Sequence, residues 1–277
     1  MASALSCVVG EHVLYVQPPA RDLQSGGVLF SDPFDQEEEF DDTGLFGVWP
    51  AAYTLCRYLA RHPELVRGER VLELGCGAGL PSLLCDRLGA ASVVATDGTD
   101  EVIDQMHASF QSNACAGQVS AMRLDWGDTQ QLLRMIADAD VTLVIGTDLV
   151  YPLRDQQPLI SSLSVARRRF PHLKVLLSEG CRDARTHARF EEALQALGTD
   201  GVVETEMADD KLFGSLRVDL YLLHAWRQSD SQESDDVEGG GEEVESACVL
   251  GETHDAGLRS QPTSDTRHTS LPQLSWS

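Results

Sequence analysis

Between Val71 and Leu83 the chain reads VLELGCGAGLPSL: a short apolar run, a turn of alternating glycines, then a helical pattern. A strand, a glycine-rich turn and a helix in that order form the unit that seats a nucleotide-like ligand at the switch point of a parallel sheet. Gly75, Gly77 and Gly79 accept positive φ and place no side chain between backbone and ligand. Pro81 falls in the first helical turn, where its missing N–H has no partner to lose.

The segments around this unit extend the pattern. Helical periodicity in VWPAAYTLCRYLARH precedes it. After it, strand-like SVVATD, VSAMRLDW, DVTLVIGTD and KVLLSE alternate with helical TDEVIDQMHASFQSNA, DTQQLLRMIADA, RDQQPLISSLSVARRRF and DARTHARFEEALQALG. Thr99 is the expected N-cap of the first of those helices and Gly198 the C-cap of the last. GVVETEM and SLRVDLYLLHAW then follow one another without an intervening helix, which predicts an antiparallel hairpin on one edge. Apolar strands alternating with helices predict a mostly parallel sheet covered on both faces.

The ends differ. From Val8 to Asp42, HVLYVQ and GGVLF are expected to form a hairpin across PPARDLQSG, followed by acidic DPFDQEEEFDD, a solvated linker or a substrate-facing flap. From Asp230 to Arg267, eleven acids stand against Arg259 and Arg267, with little to bury. Such a stretch does not offset its ordering entropy, so a disordered acidic tail is expected. The expected organisation is residues 1–44 as hairpin and linker, 45–227 as one α/β domain and 228–277 as tail.

Composition narrows the partners. The formal net charge of −23 argues against nucleic acid, whose affinity rests on Lys and Arg contacts to phosphate. RRRF, at Arg167 to Phe170, is the one basic cluster and is expected to be a solvated last helical turn. An acidic surface favours a basic protein partner. No run reaches the roughly 20 apolar residues of a membrane span. The seven cysteines are scattered without a CxxC pair, so no metal centre is expected and reduced thiols are. Together with a start that lacks a signal-peptide pattern, this predicts a cytoplasmic or nuclear protein, and a monomer.

Four strand ends carry the candidate chemistry. Dinucleotide sites favour GxGxxG, but the third glycine position is Leu80 counted from Gly75, or Ser82 counted from Gly77. Glu73, two residues before the first glycine, suits the ammonium of a methionine moiety and would repel a pyrophosphate. The turn therefore favours S-adenosyl-L-methionine over a nicotinamide cofactor. Asp97 lies 22 residues after Gly75, close to the roughly 20 expected of a ribose-binding acid. In LDWGD, Asp125 suits the adenine amino group and Trp126 the face of the ring. In GTDLVYP, Asp148 and Tyr151 suit the entry of a cationic nucleophile, through charge and cation–π attraction. His107 and His187 fall on helices and are expected to face solvent.

ELGCGAG, TDG, LDWG and DLVY in this order, with VWPAA upstream, resemble the methyltransferase family 16 group over about Leu45 to Trp226. These are seven-strand class I enzymes, many of them protein-lysine methyltransferases. The resemblance implies a Rossmann-like seven-stranded, mostly parallel sheet with an antiparallel last strand and helices on both faces. It implies cofactor contacts for Trp49, Gly75, Cys76, Gly77, Asp97, Trp126 and Thr147, the last where the family often has Ala. Asp148 and Tyr151 match the family's DxxY motif, linked to substrate lysine. The function expected is N-methylation of a protein side chain, lysine first. Histidine, arginine or a small molecule stand as other acceptors, and a non-catalytic cofactor-binding or scaffold protein as the reading from another class.

Overall fold

In the computed structural model, residues 5–17, 48–115, 118–150, 156–199, 201–210 and 214–225 are described. The chain divides after Gln232 into two units, and the second, Glu233–Ser277, lies outside the described residues. So does the expected acidic segment Asp32–Asp42.

The elements follow the sequence alternation. A hairpin of β1 (Leu5–Val9) and β2 (His12–Val16) is followed by α1 (Pro50–Arg61). Then come β3 (Arg70–Leu74), α2 (Leu80–Arg87), β4 (Ser92–Asp97), α3 (Asp100–Ser112), β5 (Gln118–Arg123) and α4 (Thr129–Asp138). β6 (Leu143–Thr147), α5 (Gln157–Arg169), β7 (Lys174–Gly180), α6 (Ala184–Ala196), β8 (Val202–Asp210) and β9 (Gly214–Leu223) complete the unit.

Seven strands form one sheet in the order β5-β4-β3-β6-β7-β9-β8. The five strands from β5 to β7 pair in parallel, and β9 runs antiparallel to both of its neighbours. This is the Rossmann-like sheet expected, with β9, the last strand among the described residues, inserted between β7 and β8.

Strand side chains alternate between two apolar layers. Val71, Val93, Leu143 and Ile145 meet Leu55 and Leu59 of α1, Leu83 and Leu84 of α2, and Met106 and Phe110 of α3. Leu72, Val94, Val144 and Val175 meet Leu132 and Ile136 of α4, Leu159 and Leu163 of α5, and Phe190 and Leu194 of α6. Both faces of the central strands are dry, which is why their sequences read as unbroken apolar runs.

Three details differ from expectation at this level. The N-terminal hairpin is formed by β2 with LSCVV, a strand not singled out in the sequence, and GGVLF lies outside the described residues. Gly10, at φ 57°, opens a two-residue turn that closes the register at Val9↔His12, a shorter loop than PPARDLQSG and cheaper in closure entropy. Asn113 and Ser109 of the α3 end bond the backbone of Tyr15 and Gln17, docking the hairpin. Second, Arg167 is not solvated: it is 2% exposed and donates to the carbonyls of Leu197 and His224. The end of α5 packs against the end of α6, and the guanidinium serves backbone carbonyls there. Third, Thr99 occupies the N-cap position of α3, but its hydroxyl donates to Asp97 rather than accepting from the helix.

Candidate active site

Strand order reverses between β3 and β6. The chain winds outward from β3 through β4 to β5, returns to β6, and continues through β7. The crevice at the C-terminal ends of these two strands is where open α/β sheets bind ligands. Every described residue of the expected site stands at or just beyond the C-terminal end of β3, β4, β5 or β6 or, for Trp49, at the start of α1.

The glycine turn leaves β3 with Gly75, Gly77 and Gly79 at φ 59°, 47° and 73°. It is pinned to β4 by the Cys76 N–H donating to the Thr96 carbonyl (2.8 Å) and the Gly77 N–H donating to Asp97 Oδ2 (3.1 Å). The glycines are needed by the protein itself as well as by any ligand. A Cβ on Gly75 would lie 2.8 Å from Leu149 Cδ2 and 3.1 Å from Trp126 Cζ2, and one on Gly79 would run into Met106 of α3. Trp126 is therefore half-buried against the turn, and Leu149 closes it from the other side.

Glu73 is fully buried, and its Oε2 accepts from both the N–H (3.1 Å) and the hydroxyl of Ser82 in the first turn of α2. An acid there satisfies an orphan helix donor and suits the positive end of the dipole. Oε1 has no partner. Burial pushes the carboxyl up to about 8, against the Ser82 bonds that lower it. Asp97 is almost as buried; Oδ1 accepts from the Thr99 N–H (3.2 Å) and hydroxyl (3.3 Å). Burial raises its carboxyl also, and the turn N–H groups work against the rise. Each Asp97 oxygen keeps acceptor capacity beyond these bonds. Asp125 is exposed beyond the end of β5, with Oδ2 3.5 Å from an Arg123 nitrogen.

Beyond β6 the arrangement differs from an open carboxylate awaiting a cation. Asp148 is 2% exposed at φ 50°, a left-handed backbone for a non-glycine residue. Its Oδ1 accepts from Arg182 Nη1 (2.6 Å) and the Gly180 N–H (3.0 Å), and its Oδ2 from Arg182 Nη2 (3.2 Å). The Glu179 carboxylate accepts from the N–H groups of Leu149 (2.9 Å) and Val150 (3.2 Å). Burial raises its carboxyl well above the usual range, and nearby Asp148 adds to the rise. The Arg182 guanidinium carbon stands 5.1 Å from the centre of the Trp49 ring. The Trp49 indole nitrogen is buried without a partner. Thr147 is half-buried at the strand end, and Tyr151 lies outside the described residues.

Ser82, Glu179 and Arg182 were not singled out in the sequence. The signal for Glu179 was present: an acid near the end of an apolar strand, in KVLLSE, as Glu73 stands one residue before the end of VLEL. Arg182, in a loop, carries no such periodic mark. The histidine expectation divides. His107 is exposed, but His187 is 5% exposed, with Nε2 2.9 Å from both Asp219 Oδ2 and the Tyr221 hydroxyl. α6 turns that face onto β9, so His187 belongs to a buried polar cluster with Asp219, Tyr221 and Glu191.

Residues 33–195 match the family model described as lysine methyltransferase. The chain is 30% identical over 165 residues to the protein-lysine N-methyltransferase EFM3 of Chaetomium thermophilum, covering 57% of this chain and 48% of that protein. It is 34% identical over 135 residues to the protein N-terminal and lysine N-methyltransferase EFM7 of Yarrowia lipolytica, covering 42% and 50%. To the histone-arginine methyltransferase METTL23 of Xenopus laevis it is 27% identical over 139 residues, covering 50% and 58%. The chain thus spans about half the length of the curated relatives it matches. Among solved structures, the Thermus thermophilus 16S rRNA N2 G1207 methyltransferase in complex with AdoMet and guanosine shares the fold. The TM-score is 0.50 at 16% identity, over 82% of this chain and 52% of that one. With the family model matched across more than half its length, at the strand tips that build the crevice, this chain belongs to the lysine methyltransferase family.

Proposed function

We propose that the chain transfers a methyl group from S-adenosyl-L-methionine to a protein side chain, with lysine as the acceptor. The observation that carries the cofactor is a pair of buried polar atoms without partners, Glu73 Oε1 in the strand that leads into the glycine turn and Trp49 Nε1 at the start of α1. Buried acceptors and donors are ordinarily satisfied, so an acceptor left over in β3 and a donor left over before α1 suit a ligand bearing an ammonium and polar oxygens. Trp49, Glu73, Gly75, Cys76, Gly77, Gly79, Asp97, Asp125, Trp126 and Thr147 are the residues that would hold it. Its sulfonium supplies a methyl group already activated for displacement.

The chain's part is then alignment and exclusion of water. Glu73 offers Oε1 to an ammonium, and Asp97 offers acceptor capacity to ribose hydroxyls. Trp126 and Leu149 pack over Gly75 and keep the turn dry. A lysine acceptor must first lose its proton, which at pH 7 costs about 4.6 kcal/mol from a pKa of about 10.4. Desolvation at the crevice lowers that cost, and Tyr151 is assigned to the channel the lysine enters. No described histidine stands at the strand tips, so proton loss to water is the assigned route.

The names of the relatives include N-terminal amines and arginine beside lysine, and all are nitrogen nucleophiles on proteins. The net charge of −23 supports a basic protein partner over nucleic acid. We assign a monomer of the cytoplasm or nucleus; no helix among the described residues is long and apolar enough to cross a membrane. The test has two stages. Calorimetry with S-adenosylhomocysteine is expected to show one-site binding, and NAD none; no binding of the former overturns the reading. Mass spectrometry of a lysate incubated with the protein and methyl-labelled cofactor then identifies the acceptor, and label on RNA alone would overturn the protein substrate.

A further inference from the structure

The backbone that leaves β6 is held in an unfavourable conformation by the tip of β7. A non-glycine residue at φ 50° is in a sparsely populated conformation, and such strain persists only where surroundings over-determine it. Around Asp148 they do. Its N–H donates to the Ser178 carbonyl (2.9 Å), the next two N–H groups go to Glu179, and its carboxylate takes Gly180 and both arms of Arg182. Gly180 makes room for this. A Cβ there would lie 3.0 Å from both Asp148 Oδ1 and Arg182 Nη1. The guanidinium also faces the indole of Trp49, which stands at the start of α1. One side chain thus joins the start of α1 to the loop after β6.

The pairing has a chemical consequence. A free carboxylate beside an incoming ammonium favours the protonated, unreactive form of that amine. Paired at two points with Arg182, Asp148 presents no net charge. Glu179 lies beside it, its carboxyl pushed upward by burial and by Asp148, and already accepts two backbone N–H bonds.

We propose that Arg182 is a positioning residue for methyl transfer: it fixes Trp49 and the 148–150 loop relative to one another and neutralises Asp148, so that the acceptor nitrogen is not held as an ammonium. This rests on the methyltransferase reading above. It reassigns Asp148 from docking the substrate cation to anchoring the loop.

The test compares wild type, Arg182→Lys and Arg182→Met. Each is measured for S-adenosylhomocysteine affinity by calorimetry, and for kcat and KM on the acceptor found by labelling, from pH 6 to 9. Arg182→Met is expected to lose between about ten- and a hundredfold in kcat, with acceptor KM unchanged or lower. Its kcat profile should move to higher pH, because the uncovered Asp148 stabilises the ammonium. S-adenosylhomocysteine affinity should weaken by about three- to tenfold as Trp49 loses the cation over its ring. Arg182→Lys, which keeps the charge without the two-pronged fork, should fall between the two. Raised acceptor KM at unchanged kcat, or an unmoved kcat profile in Arg182→Met, overturns the proposal. Should Arg182→Met not fold, Arg182→Lys decides: wild-type kcat overturns, and lowered kcat at unchanged KM supports. Wild type that neither binds S-adenosylhomocysteine nor transfers methyl fails the functional reading itself, independently of Arg182.

Discussion

Asp148 and Arg182 form a two-point ion pair beneath the crevice, with Nη1–Oδ1 2.6 Å and Nη2–Oδ2 3.2 Å and side chains 2% and 7% exposed. A buried pair of this kind is weak evidence of net stabilisation, but breaking it leaves a charge unpaired in a dry site. Asp148→Ala is therefore expected to destabilise the fold by about 3–5 kcal/mol. Arg182→Met alone should cost a similar amount, and the double variant clearly less than the sum. Urea unfolding of the four proteins measures this as a double-mutant cycle; additive losses would contradict the pairing.

Glu73 gives a pH dependence whose sign follows from its burial. The folded carboxyl titrates at about 8, above its ordinary 4.5. A raised folded value means that the folded state holds a proton the unfolded state has released. Its contribution is present below about 4.5 and is lost as pH rises through 8. Wild type should lose stability relative to Glu73→Gln between pH 5 and 8, read as a narrowing Tm difference or a reversal of its sign. A difference constant across that range would remove the buried, protonated Glu73.

The same group links proton release to ligand binding. A ligand ammonium at Oε1 favours the ionised carboxylate, so S-adenosylhomocysteine affinity should rise from pH 6 to 8 with net proton release. Calorimetry in buffers of different ionisation enthalpy reads that release. It should disappear in Glu73→Gln, and persistence there would assign it to another group.

Gly75→Ala tests the turn. The residue sits at φ 59° with Leu149 and Trp126 closing over its Cα. A left-handed alanine costs about 1–2 kcal/mol, and the methyl displaces both neighbours. The expected result is a folded protein with S-adenosylhomocysteine affinity weakened about tenfold or more. Wild-type affinity would mean that the turn is not the binding surface.

His187→Ala serves as a contrast. It leaves the buried Asp219 carboxylate without its imidazole partner, at an expected cost of about 1–3 kcal/mol. Binding of S-adenosylhomocysteine should not change, since the cluster belongs to the contact of α6 with β9. A change in affinity larger than about threefold would show that the two regions are coupled.

Much of the architecture was legible along the chain because each cue is local. SVVATD is bounded as β4 from Ser92 to Asp97, and KVLLSE becomes β7 from Lys174 to Gly180. Such segments carry their own periodicity, and the glycine turn its own backbone requirement. An N-terminal hairpin was legible through HVLYVQ, but its partner LSCVV was not, because so short a run carries little periodicity of its own. Arg167 and His187 were misread because helical spacing tells which residues share a face, but not which face meets a neighbour.

The sequence by itself determined the alternation of elements, the family, and which acids and glycines end the strands. Tertiary structure alone decided what those residues touch. Glu73 caps α2 with one oxygen and keeps the other unpartnered, Gly75 lies beneath Leu149 and Trp126, and Asp148 is taken by Arg182 from the neighbouring strand tip. The reason is physical. Backbone preference and apolar period act over a few residues, whereas the charge state and availability of a carboxylate depend on which distant side chain the fold brings within 3 Å of it.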